Sequence, residues 1–316
     1  MAVSLSNSKT VAVLVRTRNE AEYLPKLIEE LDRQDLRADE VILVDSGSTD
    51  STIELALAAG WKVARLKPEE FSYGRSLNEG FRLCSSDVVV ILSAHVYPVR
   101  SDYLAKMTTE VEPRGNTVVY GRQVGDVRTK FSERMVMSCW FPSPGDGLQD
   151  HPFMNNASSC VPKALWQRLL YDEALPGLED IEFAKRLQAL GGRVVYESEA
   201  PIVHVHEETY RQVANRYRRE AAAYRLIFRD QGISLRDALR LAVWNIWRDS
   251  IAAARERKWL RVWRSIVLFR ASQFYGAWRG FQGSKGEHSP LIRRMYFPCS
   301  DSREVRALDS DGRSEE

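Results

Sequence analysis

The chain reads as an α/β fold, a mainly parallel sheet with helices on both faces, followed by a helical C-terminal region. Three observations predict it. Short β-branched runs alternate with segments of helical spacing through the first hundred residues. Polar clusters stand at the ends of those runs. After Glu208 the pattern changes to long, Arg- and Trp-rich helical periodicity that lasts to about Gly280.

The elements follow in order. Val11 to Val15 is a β-branched run of the kind that forms a buried parallel strand. Thr17 to Glu20 make a polar turn, and Leu24, Leu27, Ile28 and Leu31 then recur at helical spacing between Ala21 and Leu31. Val41 to Val44 is a second strand, broken by Asp45-Ser46-Gly47-Ser48-Thr49-Asp50, and a helix from Thr52 to Ala59 ends at Gly60, a suitable C-terminal cap. Trp61 to Leu66 reads as a strand, Ser76 to Cys84 as a helix and Val88 to Leu92 as the most hydrophobic strand. This alternation implies a parallel sheet covered on both faces, in which ligands bind beyond the carboxyl ends of the strands. Thr17–Glu20, Asp45–Asp50 and Ser93–His95 lie at those ends. Residues 118–160 read as irregular; 161–170 and 179–190 read as helices, and 193–196 and 202–206 as two further strands.

At 316 residues, with 44% hydrophobic and 28% charged residues, the composition is that of a globular protein with a full core. The net charge of +2 hides an asymmetry: residues 1–206 are about six units acidic, 207–300 about eleven units basic, and the tail after Ser300 is acidic. Such a basic segment suggests a membrane or nucleic-acid contact. The N-terminus has neither the basic nor the apolar stretch of a secretory signal, and no window approaches the roughly 18 apolar residues of a spanning helix. Cys84, Cys139, Cys160 and Cys299 have no C-x-x-C spacing, which argues against a zinc cage and is expected for reduced thiols in a cytoplasmic protein.

Asp45 directly follows a buried strand, where its carboxylate can accept hydrogen bonds from a base or ribose while Gly47 lets the chain turn. Ser48 or Asp50 in the same loop can equally cap the next helix. V-L-V-R-T-R-N-E at 13–20 and V-I-L-V-D-S-G-S-T-D at 41–50 resemble the opening of glycosyltransferase family 2. The resemblance continues through F-S-Y-G-R-S-L-N-E-G (71–80), N-N-A-S-S (155–159) and L-E-D-I-E-F-A-K-R-L (178–187), and so covers about residues 10–206 in order.

That resemblance implies an inverting transferase of the nucleotide-diphospho-sugar type, with a GT-A-like fold. It places Thr17, Glu20 and Asp45 against the nucleotide, with Arg75 and Asn78 bordering it and Ser93 and His95 near the diphosphate. Asp180 takes the position of the general base, Glu179 supports it, and Asn155 and Asn156 lie toward the acceptor. The D-x-D that most relatives carry after the fourth strand is replaced here by Ser93-Ala94-His95. His95 fills the last ligand's place, and His204 and His206 resemble the strand-borne histidine that completes the metal site in several relatives. Imidazole suits Mn²⁺ better than Mg²⁺. A divalent cation, Mn²⁺ or Mg²⁺, is thus an open expectation; without one, His95 and Arg75 would face the leaving diphosphate.

The resemblance further implies a nucleotide-diphosphate sugar donor and a glycan or polyprenyl-lipid-linked acceptor of the bacterial envelope, such as lipopolysaccharide, O-antigen or capsule. Trp244, Trp247, Trp259, Trp263 and Trp278 among arginines suit an anionic membrane interface. They suit equally a bundle packed on the rest of the protein or on a second subunit, and less well a single-stranded nucleic acid. The expected organisation is a nucleotide-sugar-binding catalytic domain at 1–206, a basic helical region at 207–300 and a disordered acidic tail at 301–316. The expected location is cytoplasmic, peripheral on the inner membrane. The rivals are a non-catalytic nucleotide-sugar-binding protein, motivated by the lost D-x-D, and a nucleotidylyltransferase, which V-R-T-R-N-E disfavours by lacking a glycine-rich loop.

Overall fold

The computed structural model describes residues 9–145, 147–229, 231–282 and 290–296. The tail expected at 301–316, residues 1–8 and Cys299 lie outside the described residues.

β1 (Val11–Thr17), β2 (Glu40–Asp45), β3 (Lys62–Arg65) and β4 (Val88–Ser93) pair in parallel in the order β3-β2-β1-β4. They alternate in sequence with α1 (Leu24–Asp32), α2 (Thr52–Ala58) and α3 (Tyr73–Leu83). β1 is apolar on both faces because both are covered. Val11, Val13 and Val15 pack with Leu24 and Leu27 of α1, while Ala12 and Leu14 pack with Leu77 and Phe81 of α3. Helix α3 lies so close to β1 that a Cβ on Gly80 would stand 2.2 Å from Leu14 Cδ1.

Beyond β4 the sheet changes direction. The remaining elements are β5 (Val96–Pro98), α4 (Tyr103–Thr109), β6 (Thr117–Val124), α5 (Phe131–Trp140), β7 (Gly147–Leu148), β8 (Ser158–Pro162), α6 (Lys163–Leu169), α7 (Glu179–Ala189) and β9 (Arg193–His204). The sheet continues β4-β8-β6-β9-β5, with β8 antiparallel to both neighbours, β9 parallel to β6, and β5 antiparallel to β9. Residues 118–160 are therefore not irregular but hold most of β6, all of α5 and part of β8. The two strands expected between 193 and 206 are one, and the helix expected from 161 begins at Lys163.

The C-terminal region forms α8 (Tyr210–Ile227), α9 (Leu235–Arg255), α10 (Trp259–Gly280) and α11 (Pro290–Tyr296). Capping boxes open α8 (Thr209 with Gln212) and α9 (Ser234 with Asp237). Val213, Tyr217, Tyr224, Phe269, Phe274 and Phe281 belong to the same buried cluster as Val118, Tyr120 and Phe183, so these helices share the core of the sheet. A buried Asp249–Arg270 pair (2.8 Å), with Ser132 Oγ donating to Asp249, ties α5, α9 and α10 together. Among the described residues no helix is long and apolar enough to cross a membrane. Cys84 and Cys160 are buried free thiols; Cys139 is disulfide-bonded, which corrects the expectation of reduced thiols throughout.

Candidate active site

The polar clusters at the ends of β1, β2 and β4 meet. Asp45 is only 1% exposed. Its carboxylate accepts from the backbone N–H of Gly47 (2.9 Å) and Ser48 (3.0 Å) and from the Ser48 hydroxyl. These bonds hold the loop in a turn whose Gly47 has φ +89°, a conformation that suits glycine. Asn19 laces this loop to the one after β1: its N–H donates to Ser48 Oγ (2.8 Å) and its Oδ1 accepts from Thr49 N–H (2.7 Å). The Thr17 hydroxyl at the end of β1 is buried and has no hydrogen-bond partner among the described residues. An unmet buried polar group of this kind calls for a ligand or water. Ser93 ends β4, half-buried.

Glu20 links these loops to the histidines. His95 Nδ1 donates to Glu20 Oε1 at 2.9 Å, and the His95 ring stacks on His204 with centroids 5.0 Å apart. His204 Nδ1 faces Gln123 Oε1 on β6 at 2.7 Å, and His206 Nδ1 faces Glu133 Oε1 on α5 at 2.9 Å. Each Nδ1 thus has its own acceptor, which turns the Nε2 atoms inward. Those of His204 and His206 stand 2.9 Å apart.

At that distance the two nitrogens either share one hydrogen in an N–H···N bond or both turn lone pairs to one cation. Burial, then His206, His95 and Arg216, push His204 well below the ordinary histidine value, so a proton is disfavoured there. A divalent cation held here would need both rings neutral, with these nitrogens as its ligands. Neutral histidines oriented through their other nitrogen are the usual form of such ligands. The ligand atoms of His95, His204 and His206 all lie within 4.8 Å of one another, so the residues present fit a divalent cation. Glu133, His206 and Glu208 also cluster, but Arg216 already fills that space, 2.8 Å from each carboxylate. Burial opposes ionisation of Glu133, yet Arg216 and His206 outweigh it and hold the group at about 2.

A second cluster forms at the start of α7. Asp180 is 9% exposed; one oxygen accepts from Asn156 N–H (3.0 Å), the other from Ile181 N–H (2.8 Å). Burial and then the Glu179 charge push Asp180 up to about 7, against the pull of those two N–H groups and Arg16. Glu179 pairs with Arg16 of β1 (3.0 Å) and accepts from Asn156 Nδ2 (3.4 Å). The adjacent residues Arg16 and Thr17 therefore connect the end of β1 to both clusters. Glu182 pairs with Arg186 (2.6 Å).

The other residues named from sequence divide. Asn156 holds both Glu179 and Asp180, whereas Asn155 Oδ1 accepts from Ala157 N–H (2.9 Å) and shapes the turn. Arg75 is half-buried and loosely paired with Glu70 at 3.9 Å. Asn78 is engaged in packing: its amide donates to Tyr171 O (2.9 Å) and Glu173 Oε1 (2.8 Å) and accepts from Trp166 Nε1 (2.9 Å) and Tyr171 N–H (3.0 Å). All of its capacity is used in tying α3 to Trp166 of α6 and to the segment that follows it. Four residues escape a reading by sequence pattern: Arg16, Gln123, Glu133 and Arg216. Glu133 alone left a signal, as a carboxylate in line with Val136, Met137 and Trp140 on the buried stripe of α5.

Residues 12–173 match glycosyl transferase family 2. The chain belongs to that family. This family 2 glycosyltransferase is 22% identical over 220 residues to an O-antigen chain rhamnosyltransferase of Salmonella typhimurium, a match covering 66% of this chain and 70% of that one. It is 23% identical over 197 residues to an O-antigen chain rhamnosyltransferase of Salmonella anatum, covering 58% and 62%. Among solved structures it resembles a mannosyltransferase from Pyrobaculum calidifontis in complex with GDP-Man and Mn²⁺. The TM-score is 0.59 and the identity 19%, with 87% of each chain covered. It also resembles glucosyl-3-phosphoglycerate synthase from Mycobacterium tuberculosis in complex with Mn²⁺, UDP and glucosyl-3-phosphoglycerate (TM-score 0.52, 19% identity, 72% and 84% covered). These likenesses show the fold: the mixed sheet with helices on both faces is that of the nucleotide-diphospho-sugar transferases.

Proposed function

We propose that this glycosyltransferase moves a sugar, with inversion, from a nucleotide-diphosphate donor to a hydroxyl of a glycan or lipid-linked acceptor in envelope polysaccharide synthesis. The observation that carries the reading is the buried Asp180 carboxyl, raised to about 7 and joined through Glu179 and Arg16 to the strand end where the nucleotide loops meet. A general base works best with a pKa near the operating pH. Asp180 takes the proton of the acceptor hydroxyl, and that oxygen attacks the anomeric carbon from the face opposite the leaving nucleoside diphosphate. Thr17, Glu20 and the loop braced by Asp45 hold the nucleotide; Asn156 and Glu179 orient the base. His95, His204 and His206 would hold a divalent cation, which when bound neutralises charge on the diphosphate. The names of the Salmonella relatives support a nucleotide-diphospho-rhamnose donor and an O-antigen-type acceptor. In a transfer assay with such a donor, proton NMR of the product should show the anomeric configuration opposite to the donor's; retention would exclude Asp180 as the sole base.

The helical region adds a membrane contact to this reading. Val243 (68% exposed), Trp244 and Trp247 (56%) on α9, with Leu260 (82%), Trp263 and Val267 on α10, leave apolar stripes uncovered. Between residues 235 and 268 the exposed charges are Arg236, Arg240, Arg255, Arg257, Lys258, Arg261 and Arg264 against Glu256 alone. Apolar side chains ringed by unopposed cations suit an anionic bilayer, whereas a symmetric contact with a second copy would bring the arginines together. Co-sedimentation with vesicles containing phosphatidylglycerol should fall about tenfold on Trp247→Ala with Leu260→Ala, and equally for wild type on neutral vesicles. Unchanged sedimentation, or loss of a dimer instead, would contradict a lipid surface.

A further inference from the structure

We propose that Arg219, together with Arg16, is a phosphate-binding pair in the active-site cleft. The inference rests on the reading of this cleft as a nucleotide-sugar site, and it concerns a residue supplied by the helical region.

Both guanidinium groups lie against one aromatic ring. Arg16 is 5.4 Å and Arg219 is 5.1 Å from the centroid of Tyr73, at the start of α3. Arg16 uses one nitrogen on Glu179 and leaves its Nε buried without a partner. The Arg219 Nε is likewise buried and unpartnered, and among the described residues its guanidinium makes no hydrogen bond or ion pair. A Cβ placed on Gly177 would be 3.8 Å from that Nε, so Arg219 stands beside the segment that leads into Glu179 and Asp180. One turn earlier on α8, Arg216 holds Glu133 and through it His206. Helix α8 therefore runs along the site, with one arginine at the histidine centre and the next at the base.

Two like charges on one ring, of which only Arg16 has a carboxylate partner in Glu179, are unfavourable until an anion joins. The neighbouring Glu220 does not fill this need: its Oε2 is itself unpartnered, and burial pushes the carboxyl up to about 7 against the pull of Arg216 and Arg219. A guanidinium fixed by stacking presents a planar fork of donors, the geometry that matches phosphate oxygens. Phosphate reaches this cleft from two sources: the diphosphate of the donor and a phosphate carried by a lipid-linked acceptor. A purely structural role, cation–π packing of Arg219 on Tyr73, is the competing account.

Binding to the full chain separates these. Wild type, Arg219→Gln and Arg219→Lys would be titrated by calorimetry with inorganic pyrophosphate in one arm and geranyl phosphate in the other. Arg219→Gln should weaken one arm by about 10- to 100-fold, the range of a lost charge-assisted hydrogen bond, and Arg219→Lys should recover part of it. Loss in the pyrophosphate arm assigns the pair to the donor; loss in the geranyl phosphate arm assigns it to the acceptor. If wild type binds neither probe, or if both variants melt as wild type and bind both probes unchanged, the proposal is overturned. No turnover is needed, so a failed transfer assay leaves this test intact.

Discussion

Asp180→Asn is expected to lower kcat by about 100- to 10,000-fold while leaving donor affinity within a factor of about three, because a general base contributes at that scale and touches the acceptor, not the nucleotide. The same substitution should stabilise the fold above neutral pH. The folded carboxyl is raised to about 7 from an ordinary value of 3.8, chiefly by burial. Its favourable linkage is complete below the unfolded value and is lost as pH rises through about 7, so at pH 8 the folded chain carries a buried, unfavourable charge. At about 1.4 kcal/mol per pKa unit the ceiling is about 4 kcal/mol. An amide keeps only one acceptor for the N–H groups of Asn156 and Ile181, which returns part of that gain. A rise of about 2–4 °C in melting temperature at pH 8, smaller at pH 5 and gone below about pH 4, is the expected result. In wild type, kcat/KM should climb with pH through an apparent pKa near 7. An acid limb at 4, or an active Asp180→Asn, would remove Asp180 from the base position.

The second large effect concerns the histidines. Mn²⁺ added alone to the wild type should lose its free-ion electron paramagnetic signal as it binds, with one site per chain. Gln123→Leu removes only the acceptor that orients His204 and should weaken that affinity about 10- to 100-fold, the usual cost of an outer-shell partner. His204→Ala removes a ligand and should abolish the site. Thermal melts of each variant without metal separate loss of the site from loss of the fold. Equal Mn²⁺ affinity in all three proteins would mean that the close Nε2 pair shares a proton rather than a metal.

Much of this was legible in the sequence, and the exceptions share a cause. β1, β2 and β4 declared themselves because strands buried on both faces must be apolar throughout, and the polar groups at their ends then marked the cleft. Residues 118–160 did not, since several polar residues interrupt their core positions. Ser158 and Ser159 are fully buried in β8, yet the first meets Tyr103 Oη at 2.8 Å and the second donates to Asn156 Oδ1 at 2.9 Å. Ser132 looks like a surface residue of α5, and Glu133 on its buried stripe has no visible partner, until Asp249 and Arg216 arrive from helices more than eighty residues later. Asn78 shows the opposite case: a residue expected beside the nucleotide has its whole amide engaged by Tyr171, Glu173 and Trp166. Partners so distant in sequence leave no periodicity to read.

The three histidines and the strand-end loops are proposed to bind a nucleoside-diphosphate sugar together, through a cation. The most direct test is calorimetric titration of Asp180→Asn, which holds donor without turning it over, with thymidine, uridine and guanosine diphosphate sugars, in Mn²⁺ and in EDTA. At least one of them should bind as tightly as to wild type, and at least tenfold more weakly once the cation is removed. Binding of equal strength in EDTA, or binding of none of the three, would contradict it.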